Sequence, residues 1–119
     1  MTAHPHKNQA YISIEESIRI HPAWYGKIAG LYAEKKLRGQ APYTYLLRDG
    51  ESSLHYYVTF AHPDGSVGHQ PFTISVASDQ LYFENGDARG PFEHETILDV
   101  VHIIMHCKQE ECVPLIELK

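Results

Sequence analysis

Several features that would narrow the function are scarce in this sequence. Two cysteines, Cys107 and Cys112, are too few for a disulfide scaffold and indicate free thiols in a reducing compartment. No apolar run approaches the roughly 20 residues that span a bilayer, and the polar start has no apolar signal segment. Positive charge is also scarce, because the net charge is −5, which argues against general nucleic-acid binding. We therefore expect a cytoplasmic protein with no membrane or nucleic-acid partner.

The remaining composition is typical of one globular domain. Hydrophobic residues make up 43% and charged residues 21% of the 119 positions, which is enough for a single core. Residues 1–22 are predicted to be a partly flexible N-terminal extension, with a short helix or turn over Tyr11–Ile20 that Pro22 ends. Residues 23–119 are predicted to form the domain.

Hydrophobic periodicity predicts two helices and several strands. Ala29–Arg38 has apolar residues at a spacing of four, and Glu93–Cys107 has a broad apolar face that belongs in a core. Strand patterns occur at Tyr45–Arg48, Leu54–Phe60, Gln70–Val76, Gln80–Glu84 and Leu115–Leu118. Asn85–Pro91 is predicted to be a loop by its composition. This order predicts an α+β fold, a central antiparallel sheet flanked by one helix on each face.

The chemistry concentrates where the first strand ends. In Tyr45–Leu47 the side chains that point to either face of the strand are apolar, so both faces should be covered by other parts of the protein. Arg48 follows this strand directly. An arginine emerging from a covered strand is costly to bury without a partner. The small or polar residues after it can offer backbone N–H groups and two hydroxyls. A guanidinium beside such donors is chemically a phosphate site.

Three separated motifs in the right order resemble the SH2 family, and the resemblance covers roughly residues 24–118. The strand and loop resemble the Phe-Leu-Val-Arg-Glu-Ser-Glu signature of SH2 domains, and the other matches are the Trp-Tyr-Gly opening, an Ala-Glu-x-x-Leu helix and a Cys-x-x-Leu pair. The chain's departures from the family pattern suggest a distant member, similar to the divergent SH2 domains of effectors from intracellular bacteria such as Legionella. The matching segments are Tyr45–Ser52, Trp24–Ile28, Ala33–Leu37, and Cys112 with Leu115.

The resemblance implies a phosphotyrosine-binding module rather than an enzyme. Arg48 matches the arginine that grips the phosphate in a bidentate fork, and a planar five-donor cation suits a group with about −1.5 to −2 charges and three acceptor oxygens. The phosphate loop would be Gly50, Glu51 through its backbone N–H, Ser52 and Ser53. The implied partner is a tyrosine-phosphorylated protein or peptide. The module would be a monomer without cofactor or metal, in the host cell cytosol if it is a secreted bacterial effector.

The sequence departs from the family at three places. Gly30 stands where the family often has a basic residue, and Gly50 where it commonly has serine. The segment Pro71–Thr73 stands where it usually has a His-aromatic-Lys trio, so the lysine is missing, while Phe72 and Thr73 keep the position beside the ring or peptide. Positive charge could instead come from Lys27, Lys36 or His69, which the sequence does not rank.

Two loops are predicted to flank the bound peptide. One contains Asp87 and Arg89, and it is predicted to fold over the peptide as a lid. The other contains Glu110 and Glu111, where the family often has Gly-Leu. Two carboxylates at the rim of the peptide site predict weak selectivity for the residues that follow the phosphotyrosine. Acidic residues at those positions should bind slightly less well.

Two alternatives stay open from the sequence. His102 and His106 are four residues apart on the second helix, with two cysteines nearby, which suggests a small metal- or Cys/His-dependent enzyme. The other alternative is an SH2-like contact module that has lost phosphate binding.

Overall fold

The fold is α+β, as predicted. The computed structural model describes residues 15–52, 54–77, 80–85, 88–91 and 97–116. A short helix α1 covers residues 15–19. The other elements are α2 (Gly30–Leu37), β1 (Thr44–Asp49), β2 (His55–Ala61), β3 (Val67–Ala77), β4 (Gln80–Asn85), β5 (Ala88–Pro91), α3 (Ile97–Met105), a 3₁₀ turn (Gln109–Glu111) and β6 (Val113–Pro114).

Within the described ranges, the strands form one six-stranded sheet in the order β5-β4-β3-β2-β1-β6. The pairs from β1 through β5 are antiparallel, whereas β6 runs parallel to β1. The sheet is therefore mixed, which corrects the expectation of an antiparallel sheet. Two successive antiparallel hairpins, β1–β2 and β2–β3, carry the site described below.

The last strand lies earlier than predicted. The predicted strand is Leu115–Leu118, of which residues 117 and 118 lie outside the described residues. In the described part of this segment, the ladder with β1 is formed at Val113 and Pro114. The N–H of Val113 donates to the Tyr43 carbonyl at 3.0 Å, and the N–H of Leu115 donates to the Tyr45 carbonyl at 2.8 Å. Pro114 lies between these two donors, so its missing N–H falls where β1 needs none.

The predicted loop Asn85–Pro91 is largely a strand. Residues 88–91 pair antiparallel with β4, from Asn85↔Ala88 to Tyr82↔Pro91. A backbone held in the sheet by this ladder is not available to fold over a ligand, so the prediction of a long lid is wrong for residues 88–91. Asp87 lies outside the described residues, and Arg89 is described only as a backbone position of β5.

One helix packs on each face of the sheet, as predicted. Side chains alternate between the faces along a strand. Leu46 packs with Ala33 and Leu37 of α2. Its neighbours Tyr45 and Leu47 belong to a larger cluster, which includes the buried side of α3: Ile97, Val100, Val101, Ile104 and Met105. Alternate residues of β1 therefore point to opposite faces of the sheet. We call the face covered by α2 the α2 face and the face covered by α3 the α3 face.

The chain before the predicted domain boundary also contributes to the core. Ile18 of α1 is fully buried and packs in the α3-face cluster with Ala23. Trp24 forms a parallel bridge to Leu47, and the N–H of Tyr25 donates to the Leu47 carbonyl at 2.9 Å. The boundary at residues 22 and 23 thus falls within packed structure.

Helix α3 ends two residues before the predicted end at Cys107, while residues 93–96 of the prediction lie outside the described residues. The N–H of Cys107 donates to the His102 carbonyl, and the N–H of His106 donates to the Ile103 carbonyl. His106 has a φ of 58°. These bonds form a Schellman motif with a histidine in the left-handed position that favours glycine. None of the helices in the described ranges is long and apolar enough to cross a bilayer.

Candidate functional site

Arg48 lies on the α2 face of the sheet, near the end of β1. It is two residues from Leu46, so both side chains point to the same face. In the ladder, Arg48 is opposite Tyr57 of β2, and Leu46 is opposite Thr59. The next strand continues these rows, since Thr59 is opposite His69 of β3. Strand register therefore gathers an arginine, a threonine and a histidine from three strands.

These three side chains are hydrogen-bonded to one another. The Nε of Arg48 donates to the Thr59 hydroxyl at 3.1 Å, and its Nη2 lies 3.1 Å from Nδ1 of His69. The Thr59 hydroxyl is also 3.1 Å from this Nδ1. Because a guanidinium can only donate, Nδ1 must accept from it. The Thr59 hydroxyl accepts from Arg48 and donates to His69.

Helix α2 reaches the same cluster through Glu34. Its Oε2 lies 3.0 Å from Nε2 of His69. Since Nδ1 of this ring accepts, Nε2 carries the proton and donates to the carboxylate. His69 is thus a neutral ring held between Glu34 and Arg48, and both side chains of the His69–Glu34 pair are about one-quarter exposed. The network fixes the direction of the guanidinium.

The charge of Arg48 has no carboxylate partner. Burial lowers the pKa of its guanidinium, which is half-buried, and in the described part of the chain it forms no ion pair. Its centre lies 4.3 Å from the ring centroid of Tyr57, a cation–π contact. A desolvated cation that is bonded to neutral acceptors keeps its full attraction for an anion.

Arg48 also keeps donors for a ligand. Two of its five N–H groups serve Thr59 and His69, and the other three have no partner among the described residues. A Cβ placed on Gly30 would lie 3.4 Å from Nη2 of Arg48 and 3.5 Å from His69. Gly30 is the first residue of α2, which has no side-chain N-cap and no acidic residue in its first turn. The positive end of a helix therefore opens beside the guanidinium.

The loop after β1 is a tight turn around Gly50. The N–H of Gly50 donates to the His55 carbonyl at 2.8 Å, and a Cβ at this position would lie 2.5 Å from the same oxygen. A serine at position 50 would therefore clash with the backbone. Glu51 and Ser52 are exposed, while Ser53 lies outside the described residues. Of the predicted phosphate loop, the amide of Gly50 is used within the turn, and Ser52 offers an exposed hydroxyl.

The predicted ring and peptide contacts separate in space. Phe72 is 1% exposed and packs on Tyr56 in the α3-face core, so its side chain is not on the Arg48 face, and the prediction that it borders the ligand needs correction. The aromatic ring next to Arg48 is Tyr57. Thr73 is exposed on the Arg48 face, opposite His55 in the ladder.

The structure ranks the three candidates for additional positive charge. His69 contacts Arg48 directly. Lys27 is exposed. The ammonium of Lys36 lies 5.4 Å and 4.8 Å from the ring centroids of Tyr25 and Tyr32. His69 is therefore the candidate that belongs to the Arg48 cluster, where it serves as a neutral acceptor that orients the guanidinium rather than as a second positive charge.

Sequence reasoning missed Glu34, Tyr57 and Thr59. The sequence did contain a signal for Tyr57 and Thr59, namely the alternation along β2. Residues with polar side-chain atoms, His55, Tyr57 and Thr59, alternate there with the core residues Tyr56, Val58 and Phe60. A buried threonine within such an apolar strand indicates a partner on one face. Thr59 is fully buried, and that partner is Arg48.

The predicted acidic pair lies in the 3₁₀ turn that follows α3. Glu110 and Glu111 are both exposed. A carboxylate oxygen of Glu111 accepts from the N–H of Lys108 at 2.8 Å and caps this turn. Glu111 therefore has a local structural partner, whereas the carboxylate of Glu110 has no hydrogen-bond partner among the described residues.

The histidines and cysteines of the sequence-based metal or enzyme hypothesis lie in the last turn of α3 and just after it. Nδ1 of His102 lies 3.2 Å from the Cys107 carbonyl, whereas His106 is exposed at the helix end. The two thiol sulfurs are 3.5 Å apart. Burial raises the pKa of Cys107, and it raises the pKa of Cys112 to about 12, which disfavours a thiolate nucleophile. Within the described ranges, no group of three metal-ligating side chains converges.

No protein-family model matches the sequence, and no curated protein matches it.

Proposed function

We propose that this domain binds tyrosine-phosphorylated peptides, that Arg48 grips the phosphate, and that the domain catalyses no reaction. The observation that carries the proposal is the half-buried guanidinium of Arg48, which has no carboxylate partner among the described residues and is oriented by Thr59 and His69. A structural arginine at a strand end would ordinarily be paired with a carboxylate. Arg48 instead presents an unneutralised charge with donors to spare.

A phosphate can approach the guanidinium edge that Thr59 and His69 leave open. Two parallel N–H···O bonds to this edge match a phosphate, and such charge-assisted bonds are about twice as strong as neutral ones. The N-terminus of α2 at Gly30, whose first turn has no acidic residue, adds a positive helix-dipole end that attracts the phosphate. The ring of Tyr57 forms one wall of the site, so a phenyl ring on the ligand finds an aromatic neighbour.

The rest of the proposal concerns partner and place. The ligand is a phosphorylated segment of another protein, the domain acts as a monomer, and its downstream selectivity is weak. The reducing conditions suggested by two unpaired thiols favour the cytoplasm, or the host cell cytosol for a secreted bacterial effector.

The test is a titration of the protein with free phosphotyrosine, phosphoserine and inorganic phosphate, followed by heteronuclear NMR. We expect shifts at Arg48, His69 and residues 50–52, with phosphotyrosine binding most tightly. Shifts spread over other surfaces, or equal affinity for the three ligands, would contradict phosphotyrosine recognition at this site.

The matching variant is Arg48→Ala. Charge-assisted hydrogen bonds contribute about 1.5–3 kcal/mol each, so losing a bidentate pair should weaken phosphopeptide binding roughly a hundredfold or more. Arg38→Ala removes an exposed arginine elsewhere and serves as the control. The melting temperature of both variants shows that they are folded. Unchanged affinity of Arg48→Ala in fluorescence anisotropy would contradict the assignment of Arg48 as the phosphate-binding residue.

A further inference from the structure

The Arg48 face extends across the sheet as two rows of cross-strand neighbours. The first row contains Arg48, Tyr57 and Pro71. The second row contains His55, Thr73 and Glu84, on β2, β3 and β4. His55 and Tyr57 are two residues apart on one strand, so the rows share a face, and their rings lie 5.4 Å apart. One continuous surface therefore joins the guanidinium to a carboxylate.

The second row borders a recess. Its volume is about 330 Å³, and His55, Pro71, Thr73 and Glu84 help to line it. Glu84 is exposed, and no cationic side chain in the described part of the chain forms an ion pair with it. The recess thus has an apolar wall at Pro71, small polar groups, and the carboxylate of Glu84 on β4, between β3 and the edge strand β5, where the Arg89 position is opposite Glu84 in the ladder.

We propose that this recess is a subsite for a lysine or arginine side chain of the phosphorylated peptide. The inference rests on the proposed function, because the phosphate at Arg48 sets the position of the peptide. The aliphatic stem of a long basic side chain can lie along Pro71 and His55 while its charged end meets Glu84. An acidic side chain would be repelled by Glu84, and a purely aliphatic one would leave this carboxylate unpaired.

The spacing of the strands sets the position of the basic residue. Arg48 and Glu84 lie on β1 and β4, three strand spacings apart, or about 14 Å at roughly 4.8 Å each, and one row apart along the strands. An extended peptide advances about 3.3 Å per residue. Because phosphotyrosine and lysine both have long side chains, the basic residue should lie about two to four positions from the phosphotyrosine.

The test uses phosphotyrosine peptides with lysine, alanine or glutamate placed two, three or four positions before or after the phosphotyrosine. At one of these positions we expect the lysine peptide to bind roughly fivefold more tightly than the glutamate peptide at low salt, and the difference should shrink at high salt. Glu84→Gln should abolish the difference, and Glu84→Lys should reverse it. Glu16→Lys makes the same charge change at an exposed position of α1, which packs on the α3 face, and should leave the difference intact.

The outcomes separate this inference from the function on which it rests. Arg48-dependent phosphopeptide binding without a charge preference would overturn the subsite alone, as would a preference that Glu16→Lys changes and Glu84→Lys does not. Failure of every phosphopeptide to bind would overturn both. Glu84 is exposed on a strand, and the milder Glu84→Gln keeps the test valid if Glu84→Lys fails to fold.

Discussion

A guanidinium bonded to a threonine hydroxyl and an imidazole keeps its charge, and this single arrangement defines the character of the Arg48 surface. Thr59 and His69 fix the direction of Arg48 without neutralising it. His69 in turn is held by Glu34 from α2. At the scale of residues, the site is therefore a cation oriented by neutral partners, and its partners can be tested one by one.

His69 is a positioning residue in this description. His69→Ala removes the acceptor of Nη2, so the Arg48 side chain gains freedom, and we expect phosphotyrosine affinity to fall roughly tenfold, the value of one hydrogen bond to a charged group. His69→Gln offers an amide oxygen to the same donor and should restore part of the affinity. Isothermal titration calorimetry measures both. An equal loss in the two variants would show that the acceptor does not matter.

Substitution by alanine should affect the stability of the fold differently at the two glycines of the site. A Cβ on Gly50 would lie 2.5 Å from the His55 carbonyl oxygen, whereas on Gly30 the nearest atom would be 3.4 Å away. Gly50→Ala should therefore destabilise the fold by roughly 2 kcal/mol or more, as other overpacked sites do. Gly30→Ala should be neutral or slightly stabilising in helix α2. Urea denaturation of both variants decides this; equal stabilities would contradict the tight turn.

At the scale of elements, the end of α3 shows a backbone preference that its side chain does not satisfy. His106 adopts a φ of 58° at the position of the Schellman motif where glycine is common. A left-handed conformation costs a non-glycine residue roughly 1–2 kcal/mol.

We therefore expect His106→Gly to raise the free energy of unfolding by about 1 kcal/mol. His106→Ala removes the same exposed imidazole and keeps a Cβ, so it should bring no such gain. Chemical denaturation compares the two. A gain shared by both variants would attribute the effect to the side chain.

The elements with clear hydrophobic periodicity were predictable, and those formed by pairing alone were not. Strands β1 to β4 and helices α2 and α3 have their own patterns. By contrast, Ala88–Pro91 has no alternation and becomes a strand because β4 offers it an edge. Val113–Pro114 contains a proline, and only the register with β1 shows that its missing N–H faces away.

The same distinction applies to the site. Arg48 was predictable because its chemistry stands out at the end of an apolar strand. Its partners lie 11 and 21 positions later in the chain, and only the alignment of three strands brings them together. Phe72 was misplaced for a related reason, because a shift of one residue moves a side chain to the other face of a sheet.

At the scale of the whole molecule, β1 depends on segments from both ends of the described chain. Residues near Trp24 bond to its later half, and Val113 and Leu115 bond to its earlier half. The hydroxyl of Tyr25 also donates to the Leu115 carbonyl at 2.8 Å. These bonds join the N-terminal and C-terminal segments beside one strand.

Val113→Pro tests this connection. The substitution removes the N–H that donates to the Tyr43 carbonyl, and it should lower the free energy of unfolding by roughly 2 kcal/mol. Val113 is 43% exposed, so Val113→Ala keeps the hydrogen bond and should cost less than about 1 kcal/mol. Denaturant midpoints measure the difference, and similar losses in both variants would assign the effect to the side chain.

The parallel pairing of β6 with β1 has a consequence for biosynthesis. While the ribosome is still making the chain, β1 can pair with β2 soon after both emerge, but part of its other edge stays uncovered until Val113 and Leu115 have been translated. The segment left uncovered, Tyr43–Leu46, is largely aromatic or aliphatic and uncharged, the composition that favours strand-to-strand association between nascent chains. If synthesis stalls before residue 113, the incomplete chain should therefore be bound by chaperones, and neighbouring chains on one polysome should tend to aggregate.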